Sequence, residues 1–369
     1  MKKELFRKEL AGFQSYVPGK SAEEVQEEYG LTEIAKLASN ENQFGPSPKA
    51  VEAVCKAASE INYYPDPFAF GLRKALGVKL NVKPENIVVG SGGEEMISII
   101  AHTFLNAGDE VVMADPTFGI YQTTALLLGA KPVPVPYKNC RCDINGMVNA
   151  VTDKTKLFYL CSPNNPTGDI LTDEDLDYVF SHVPEDVVII IDEAYYEFAK
   201  ENPAYPDSLK RLEKRENVVV LRTFSKVCGL AGVRVGYVIT SPVIAGEMGK
   251  VKQTFNVNRL AQAAALGALQ DEEHIQKTVA GNARSLDMLY EFFTEMQYEY
   301  IPSNANFVFV NVHLDSALIF EELQKRGVIV RPGCAWGWKT WLRVSTGTEE
   351  QTQMFIRRMR EIAGTYGRE

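Results

Sequence analysis

Apolar and polar positions along this chain follow two spacings, and each spacing predicts a different element. Apolar residues at 96, 97, 100, 101, 104 and 105 repeat with helical spacing, which predicts a helix over 94–105 that stops before Gly108. The run from Val187 to Ile191 is apolar at every position. A strand of that kind is covered on both faces, so it indicates a largely parallel sheet between layers of helices.

Similar apolar runs recur through the first two thirds of the chain. They predict strands at 85–90, 110–114, 132–137, 156–161, 187–191, 218–222 and 235–240. Beyond residue 260 the pattern predicts helices at 261–270, 273–296, 316–326 and from 349, with strands at 306–312 and 328–331. We therefore expect an α/β fold with three parts. These are an N-terminal arm (1–45) that contributes to the small domain and to dimer contacts, a large domain (46–260) and a smaller α+β domain (261–369).

Composition narrows the possible partners. The 369 residues are 45% hydrophobic and 24% charged, as in ordinary soluble proteins, and the formal net charge is −9. An acidic balance argues against nucleic acid as a partner. The six cysteines form no C-x-x-C pair and the four histidines lack zinc-type spacing, so we expect no metal site. No apolar run approaches the roughly 20 residues that span a bilayer. We expect a cytoplasmic protein without membrane contacts.

Polar and aromatic residues follow five of the predicted strands. In open parallel sheets, ligands bind beyond the carboxyl ends of the strands. The segments found there are 91–95 (SGGEE), 115–118 (DPTF), 162–168 (SPNNPTG), 192–195 (DEAY) and 223–226 (TFSK). Together these segments would place an anion-binding turn, an aromatic ring, an amide, a carboxylate and an amine at the same edge of the sheet.

Two of these groups of residues suit a phosphate. The Gly92-Gly93 turn precedes a predicted helix, whose first N–H groups can hold an anion. The hydroxyls of Thr223 and Ser225, with Arg234 nearby in sequence, form a second set of groups that can bind a phosphate. Taken alone, each feature is weak, because a glycine-rich turn is often only a turn.

Two other groups suit a pyridine aldehyde. Asp192 ends a wholly apolar strand, and a carboxylate placed there needs a cationic partner, which a protonated pyridine nitrogen would be. Lys226 supplies an amine, although a lysine at such a position is usually only solvated. Pyridoxal 5′-phosphate requires all of these parts, so their order at successive strand ends predicts that cofactor.

These motifs resemble a known family. Segments 162–168, 192–195 and 222–226 (RTFSK), with Arg234, are similar to those of fold-type I pyridoxal-phosphate aminotransferases, which have a large domain with a mostly parallel sheet and a smaller α+β domain. Wider matches resemble the histidinol-phosphate aminotransferase branch and cover nearly the whole chain. They are 16–21 (YVPGKS), 36–42 (KLASNEN), 63–66 (YYPD), 304–308 (NANFV) and 342–348 (LRVSTGT).

The resemblance implies catalytic roles for residues around the cofactor ring. Lys226 would bond to the cofactor and, once substrate releases it, carry the proton of the reaction. Asp192 would pair with the pyridine nitrogen. Asn165 and Tyr195 would hydrogen-bond the ring oxygen, and Phe118 would stack on the ring.

The same resemblance assigns the residues around the phosphate. Backbone N–H groups of Gly93 and Glu94 would bind it, together with Thr223, Ser225 and Arg234. Gly93 departs from the hydroxyl residue common in the family, which removes one possible contact.

The remaining implied roles concern the second subunit and the substrate. Tyr64 is similar to a tyrosine that reaches the phosphate of the neighbouring subunit, which implies a homodimer with shared sites. Arg343 would bind the anionic end of the substrate, with Arg331 and Tyr16 as helpers. Three tryptophans lie within 336–341, just before Arg343. They are explained either by packing in the small domain or by one of them lining the substrate pocket.

The implied reaction is reversible transamination between L-histidinol phosphate and 2-oxoglutarate, which yields imidazole-acetol phosphate and L-glutamate in histidine biosynthesis. An aromatic amino-acid aminotransferase is the nearest alternative, and a phosphothreonine decarboxylase is another relative. A cofactor-binding regulatory module without turnover would need a DNA-binding domain, for which the arm is too short. A nucleotide-binding dehydrogenase would need a Gly-x-Gly-x-x-Gly turn, and residues 90–93 lack that spacing.

Overall fold

The computed structural model describes residues 5–10 and 20–366. Tyr16, a predicted substrate contact, lies outside them. The strands are β1 (Ala35–Lys36), β2 (Ile87–Gly90), β3 (Glu110–Asp115), β4 (Lys131–Pro136), β5 (Thr155–Cys161), β6 (Val188–Asp192), β7 (Val218–Thr223), β8 (Gly236–Thr240), β9 (Glu299–Ile301), β10 (Phe307–Asn311), β11 (Val328–Ile329), β12 (Arg331–Pro332) and β13 (Trp341–Ser345).

The helices lie mostly between and after these strands. They are α1 (Ala22–Tyr29), α2 (Pro48–Ala57), α3 (Phe70–Leu80), α4 (Gly93–Phe104), α5 (Ile120–Leu127), α6 (Ile144–Asn149), α7 (Asp173–His182), α8 (Tyr196–Ala199), α9 (Leu209–Leu212), α10 (Pro242–Val251), α11 (Arg259–Leu269), α12 (Glu272–Glu295), α13 (Ser316–Gln324) and α14 (Glu349–Tyr366). Short 3-10 helices occupy Lys8–Leu10, Ala58–Glu60, Pro84–Asn86 and Gly333–Trp336.

The central sheet has seven strands in the order β2-β8-β7-β6-β5-β3-β4. All neighbouring pairs are parallel except those of β8, which runs antiparallel to β2 and to β7. Side chains of β6 alternate between two apolar cores: Ile189 and Ile191 pack on one face, Val188 and Ile190 on the other. The predicted, largely parallel sheet with both faces covered is therefore confirmed. The apolar pattern of β8 carries no information about strand direction, so its reversal was not expected.

A second sheet has four antiparallel strands in the order β12-β13-β10-β9. Its core contains Val308 and Val344 from the strands, with Phe293 of α12 and Phe355 of α14 packed against them. The strand predicted at 328–331 is wrong as a single element. It is split in two, because β11 pairs with β1 while β12 pairs with β13.

Local sequence signals fix several helix ends. The Ser21 hydroxyl and the Glu24 carboxylate form a reciprocal capping box at the start of α1. Gly30 ends that helix with φ +64°, a conformation that costs glycine little. At the start of α4, Gly92 has φ +89°, which turns the chain from β2 into the helix.

Packing also bears on the predicted domain boundary at residue 260. Ala261 and Ala264 of α11 belong to a core of the central sheet, whereas Leu289 and Phe293 of α12 belong to the core of the small sheet. This packing favours a boundary inside α12, and the division into domains stays a prediction.

Within residues 5–10 and 20–366, no helix is both long and apolar enough to cross a membrane.

Candidate active site

A cavity of about 300 Å³ lies at the carboxyl ends of the central strands, where β13 and segment 38–41 also border it. Most of the predicted site residues line it. They are Gly93, Glu94, Phe118, Asn165, Asp192, Tyr195, Thr223, Ser225, Lys226, Arg234 and Arg343. All five segments that follow the predicted strands therefore contribute residues to the same cavity. The role of each residue stays a prediction.

Two further predicted residues lie away from this lining. The Tyr64 side chain is exposed and its ring stacks on Phe255, with ring centroids 4.5 Å apart. Arg331 on β12 stands directly opposite Arg343 on β13. In the described part of the chain, Tyr64 is not among the residues that line the cavity, so its predicted role requires a second subunit.

Asp192 is a carboxylate buried at the floor of the cavity, with 3% of its surface exposed. The Tyr121 hydroxyl donates a hydrogen bond to Oδ2 at 2.6 Å, and the Ala194 N–H donates to Oδ1 at 3.0 Å. Burial raises its pKa to about 6, while the Tyr121 hydrogen bond opposes the shift. A cation placed beside this carboxylate would therefore stabilise its charged form.

Lys226 follows β7 and points into the same cavity. Its Nζ donates to the Ser39 carbonyl at 3.4 Å and lies 5.5 Å from the centre of the Tyr195 ring. Burial lowers the pKa of Lys226 to about 8, and the positive charge of Arg343 adds to the effect. Near neutral pH, a far larger fraction of this amine is unprotonated and nucleophilic than in an ordinary lysine.

One end of the cavity is rich in groups that bind anions. The first N–H groups of α4, at Gly93 and Glu94, have no acceptor within the helix and face the cavity. Thr223 Oγ1 donates to Ser225 Oγ at 3.1 Å, which holds the two hydroxyls together. With Arg234 and the first N–H groups of α4, they form a cradle of groups that can bind a phosphate.

Close backbone packing builds that cradle. A Cβ added to Gly236, on the neighbouring strand β8, would lie 2.9 Å from the Gly92 carbonyl carbon and 2.9 Å from the Gly93 nitrogen. A Cβ at Gly92 would meet the Arg234 guanidinium. Only glycine at these positions lets the turn lie against the strand with Arg234 beside it.

Arg343, on β13 of the small sheet, occupies the opposite border of the cavity and is 6% exposed. Its Nη1 donates to Asn165 Oδ1 at 2.6 Å, and its Nη2 donates to the Ala38 carbonyl. The guanidinium is thus held in place by groups from the loop after β5 and from segment 38–41. An arginine fixed in this way can bind a carboxylate or phosphate with two parallel hydrogen bonds.

Sequence reasoning missed Asn40, which is buried beside Tyr195. Its Nδ2 donates to the Tyr195 hydroxyl oxygen at 2.9 Å, and its Oδ1 accepts from Ser345 Oγ at 2.7 Å. Because Tyr195 accepts this hydrogen bond, its own O–H proton can be donated into the cavity. Asn40 lies inside the matching segment 36–42, which was the available signal.

Tyr121, the donor to Asp192, was missed as well. It lies on α5, three residues after Phe118, and its ring stacks on Tyr159 with centroids 4.2 Å apart. It is 1% exposed, and the sequence carries no local signal for its contact with Asp192.

These residues fit pyridoxal 5′-phosphate. The N–H groups of α4, two hydroxyls and Arg234 suit the phosphate, and the buried Asp192 suits a protonated ring nitrogen. Lys226, with its lowered pKa, suits an aldehyde. Tyr195 and Asn165 place polar groups at the cavity wall for the ring oxygen.

Comparison with known proteins gives the same picture. Residues 32–359 match the family model described as aminotransferase class I and II. The chain is 45% identical to a histidinol-phosphate aminotransferase of Moorella thermoacetica, over 96% of this chain and 92% of that protein. It is 44% identical to histidinol-phosphate aminotransferase 2 of Carboxydothermus hydrogenoformans, over 97% and 99%.

A solved structure of similar fold is that of histidinol-phosphate aminotransferase from Sinorhizobium meliloti in complex with pyridoxal-5′-phosphate. It superposes with a TM-score of 0.90 at 28% identity and covers 98% of both chains. The expected fold class is thereby confirmed, and the chain belongs to the class I and II aminotransferase family.

Proposed function

We propose that this chain is a pyridoxal-phosphate-dependent aminotransferase that interconverts L-histidinol phosphate and 2-oxoglutarate with imidazole-acetol phosphate and L-glutamate. The observation that carries the proposal is that Lys226, Asp192 and Arg343 line one cavity. The names of the relatives with 44–45% identity support the choice of histidinol phosphate and a place in histidine biosynthesis.

The side chains around the cofactor ring have separate roles in the reaction. When bound, the cofactor supplies a sink for the electron pair left on the substrate Cα. Lys226 Nζ accepts the proton from that carbon, a task that its lowered pKa favours. Asp192 holds a proton on the ring nitrogen, and the Tyr121 hydroxyl keeps the carboxylate oriented.

Arg343 explains how one site serves two substrates. Histidinol phosphate ends in a phosphate and 2-oxoglutarate in a carboxylate, and both accept two hydrogen bonds from a guanidinium. Asn165 and the Ala38 carbonyl fix the position of that guanidinium before substrate arrives.

The experiment that tests the substrate is a panel of amino donors with 2-oxoglutarate, in which glutamate formation is measured. We expect the highest kcat/KM with L-histidinol phosphate. A value for phenylalanine or tyrosine higher by orders of magnitude would identify an aromatic amino-acid aminotransferase instead. Release of carbon dioxide without glutamate would identify a decarboxylase.

The homodimer belongs to this proposal too. Large apolar side chains near Tyr64 are 60–78% exposed, and a second copy of the chain would cover them. They are Ile61, Tyr63, Tyr64, Phe68 and Phe70. Tyr64 would then reach the phosphate end of the partner's cavity. We place the enzyme in the cytoplasm, in keeping with its free cysteines.

Mixed dimers test whether sites are shared. Lys226→Ala and Tyr64→Ala subunits, each of low activity alone, are unfolded together and refolded. If Tyr64 serves the partner's site, each hybrid dimer has one intact site, and about a quarter of wild-type activity returns. If Tyr64 serves its own subunit, no intact site forms and activity stays low.

A further inference from the structure

The aromatic cluster before Arg343 lies on the same face of the small sheet as that arginine. Phe309 on β10 and Arg343 on β13 are directly opposite in register, so their side chains share a face. The Phe309 ring contacts all three tryptophans, with centroids 5.0–6.0 Å apart. These tryptophans do not line the cavity, so a direct substrate contact is not what the described residues show.

One tryptophan differs from the other two. The guanidinium carbon of Arg343 lies 5.4 Å from the centre of the Trp336 ring and 5.5 Å from that of Phe307. Trp338 instead packs edge-on against Trp341, at 5.0 Å. Among the described residues, Trp336 is therefore the indole in cation–π range of Arg343.

Hydrogen bonds and rings constrain Arg343 in complementary ways. Asn165 and Ala38 accept hydrogen bonds in the plane of the guanidinium. An aromatic ring interacts with the charge through its π face, and the interaction is strongest where water is excluded, as it is around this 6% exposed side chain. Removing the ring would leave the guanidinium charged but less firmly placed.

We propose that Trp336 is a positioning residue that holds the Arg343 guanidinium, through its ring face, in the orientation that binds the anionic end of both substrates. The inference rests on the proposed role of Arg343 in substrate binding. It assigns the tryptophan cluster two parts: Trp336 acts on the arginine, while Trp338 and Trp341 pack around Phe309.

The test compares three variants of the cofactor-loaded protein. Trp336→Leu keeps an apolar side chain but removes the π face, Trp336→Phe retains an aromatic ring, and Trp338→Leu is the matched control for losing an indole from the same cluster. We expect Trp336→Leu to raise KM for both L-histidinol phosphate and 2-oxoglutarate about tenfold, with kcat within about twofold of wild type. Trp336→Phe should recover most of the loss, and Trp338→Leu should change neither parameter.

A second measurement does not depend on turnover. Calorimetric titration with inorganic phosphate, with the cofactor's own cradle filled, should show about tenfold weaker binding for Trp336→Leu and wild-type binding for Trp338→Leu. Unchanged affinity in Trp336→Leu, equal losses in both leucine variants or no phosphate binding by the wild type would overturn the proposal. If histidinol phosphate is not turned over but phosphate affinity still falls in Trp336→Leu alone, the proposed substrate fails and the positioning role stands.

Discussion

The two borders of the cavity are built in different ways. On the side of the central sheet, Asp192 is the last residue of β6 and Lys226 lies three residues beyond the end of β7, and residues near them in sequence also line the cavity. On the side of the small sheet, Arg343 is held by Asn165 and Ala38, which are 178 and 305 residues away along the chain. One border is made by local motifs, and the other by contacts between distant segments.

This difference separates two tasks. The strand-end border carries groups with perturbed pKa values, Asp192 at about 6 and Lys226 at about 8, which suits proton transfer. The border on the side of the small sheet carries a fixed positive charge, which suits the binding of an anion. We therefore expect substitutions on the first border to lower kcat and those on the second to raise KM.

The largest effect is expected for Lys226→Ala. Loss of the amine removes both the covalent attachment and the proton acceptor, so kcat should fall by roughly 10⁴-fold or more, and the visible absorbance of the attached cofactor should disappear. The control is Lys200→Ala, at an exposed lysine on the surface. Residual activity close to wild type would remove the proposed mechanism.

Asp192→Asn comes next. The amide can still accept the Tyr121 hydrogen bond, but it cannot hold a proton on the ring nitrogen, so kcat should fall about 10²–10³-fold while cofactor still binds. Steady-state kinetics with saturating cofactor give the measurement. A change confined to KM would contradict the division of labour between the borders.

Arg343→Lys tests the other border. Lysine keeps the charge but loses the two parallel hydrogen bonds, so KM for both substrates should rise about 10–100-fold, with kcat changed by only a few-fold. The comparison fails if kcat falls as steeply here as in Asp192→Asn.

The smallest effect concerns stability without cofactor. The folded protein keeps the Asp192 proton up to a pKa of about 6, whereas the ordinary pKa is 3.8. Between those values the folded state binds more protons than the unfolded state, so stability falls as pH rises through that window, and the deficit persists above it. Asp192→Asn lacks this deficit and should be more stable than wild type by about 2–3 kcal/mol at pH 8.

Urea unfolding of the cofactor-free proteins from pH 5 to pH 8 measures this difference. The gap should widen up to about pH 7 and then stay constant. Asp186→Asn, at an exposed carboxylate, should show no such gap. A wild type that is the more stable of the two at pH 8 would mean that burial does not penalise the Asp192 charge.

The sequence predicted the strand-end border well because each motif there is continuous. Segments 188–195 and 218–226 each contain a strand, its end and the polar groups that follow it. Apolar runs that end in polar residues are visible in one sequence, and the topology of a parallel sheet then brings the ends together.

The contacts that the sequence did not reveal join distant residues. Asn40 pairs with Ser345 across 305 positions, and Tyr121 pairs with Asp192 across 71. Neither asparagine nor tyrosine carries a local signal for such a partner. The tryptophan cluster was visible, but only the fold shows which indole lies over Arg343.

Gly236 has a consequence for how this protein tolerates change. It sits on β8 with no room for even a methyl group against the turn at Gly92 and Gly93. In saturation mutagenesis scored by growth, we expect Gly236 to tolerate substitution as poorly as a catalytic residue does, although glycine has no side chain that could take part in the reaction. Intolerance at Gly236 would reflect the short distance between two backbone segments. Gly236→Ala should weaken binding of the vitamin B6 coenzyme, while the reaction steps in molecules that still hold the coenzyme should change little.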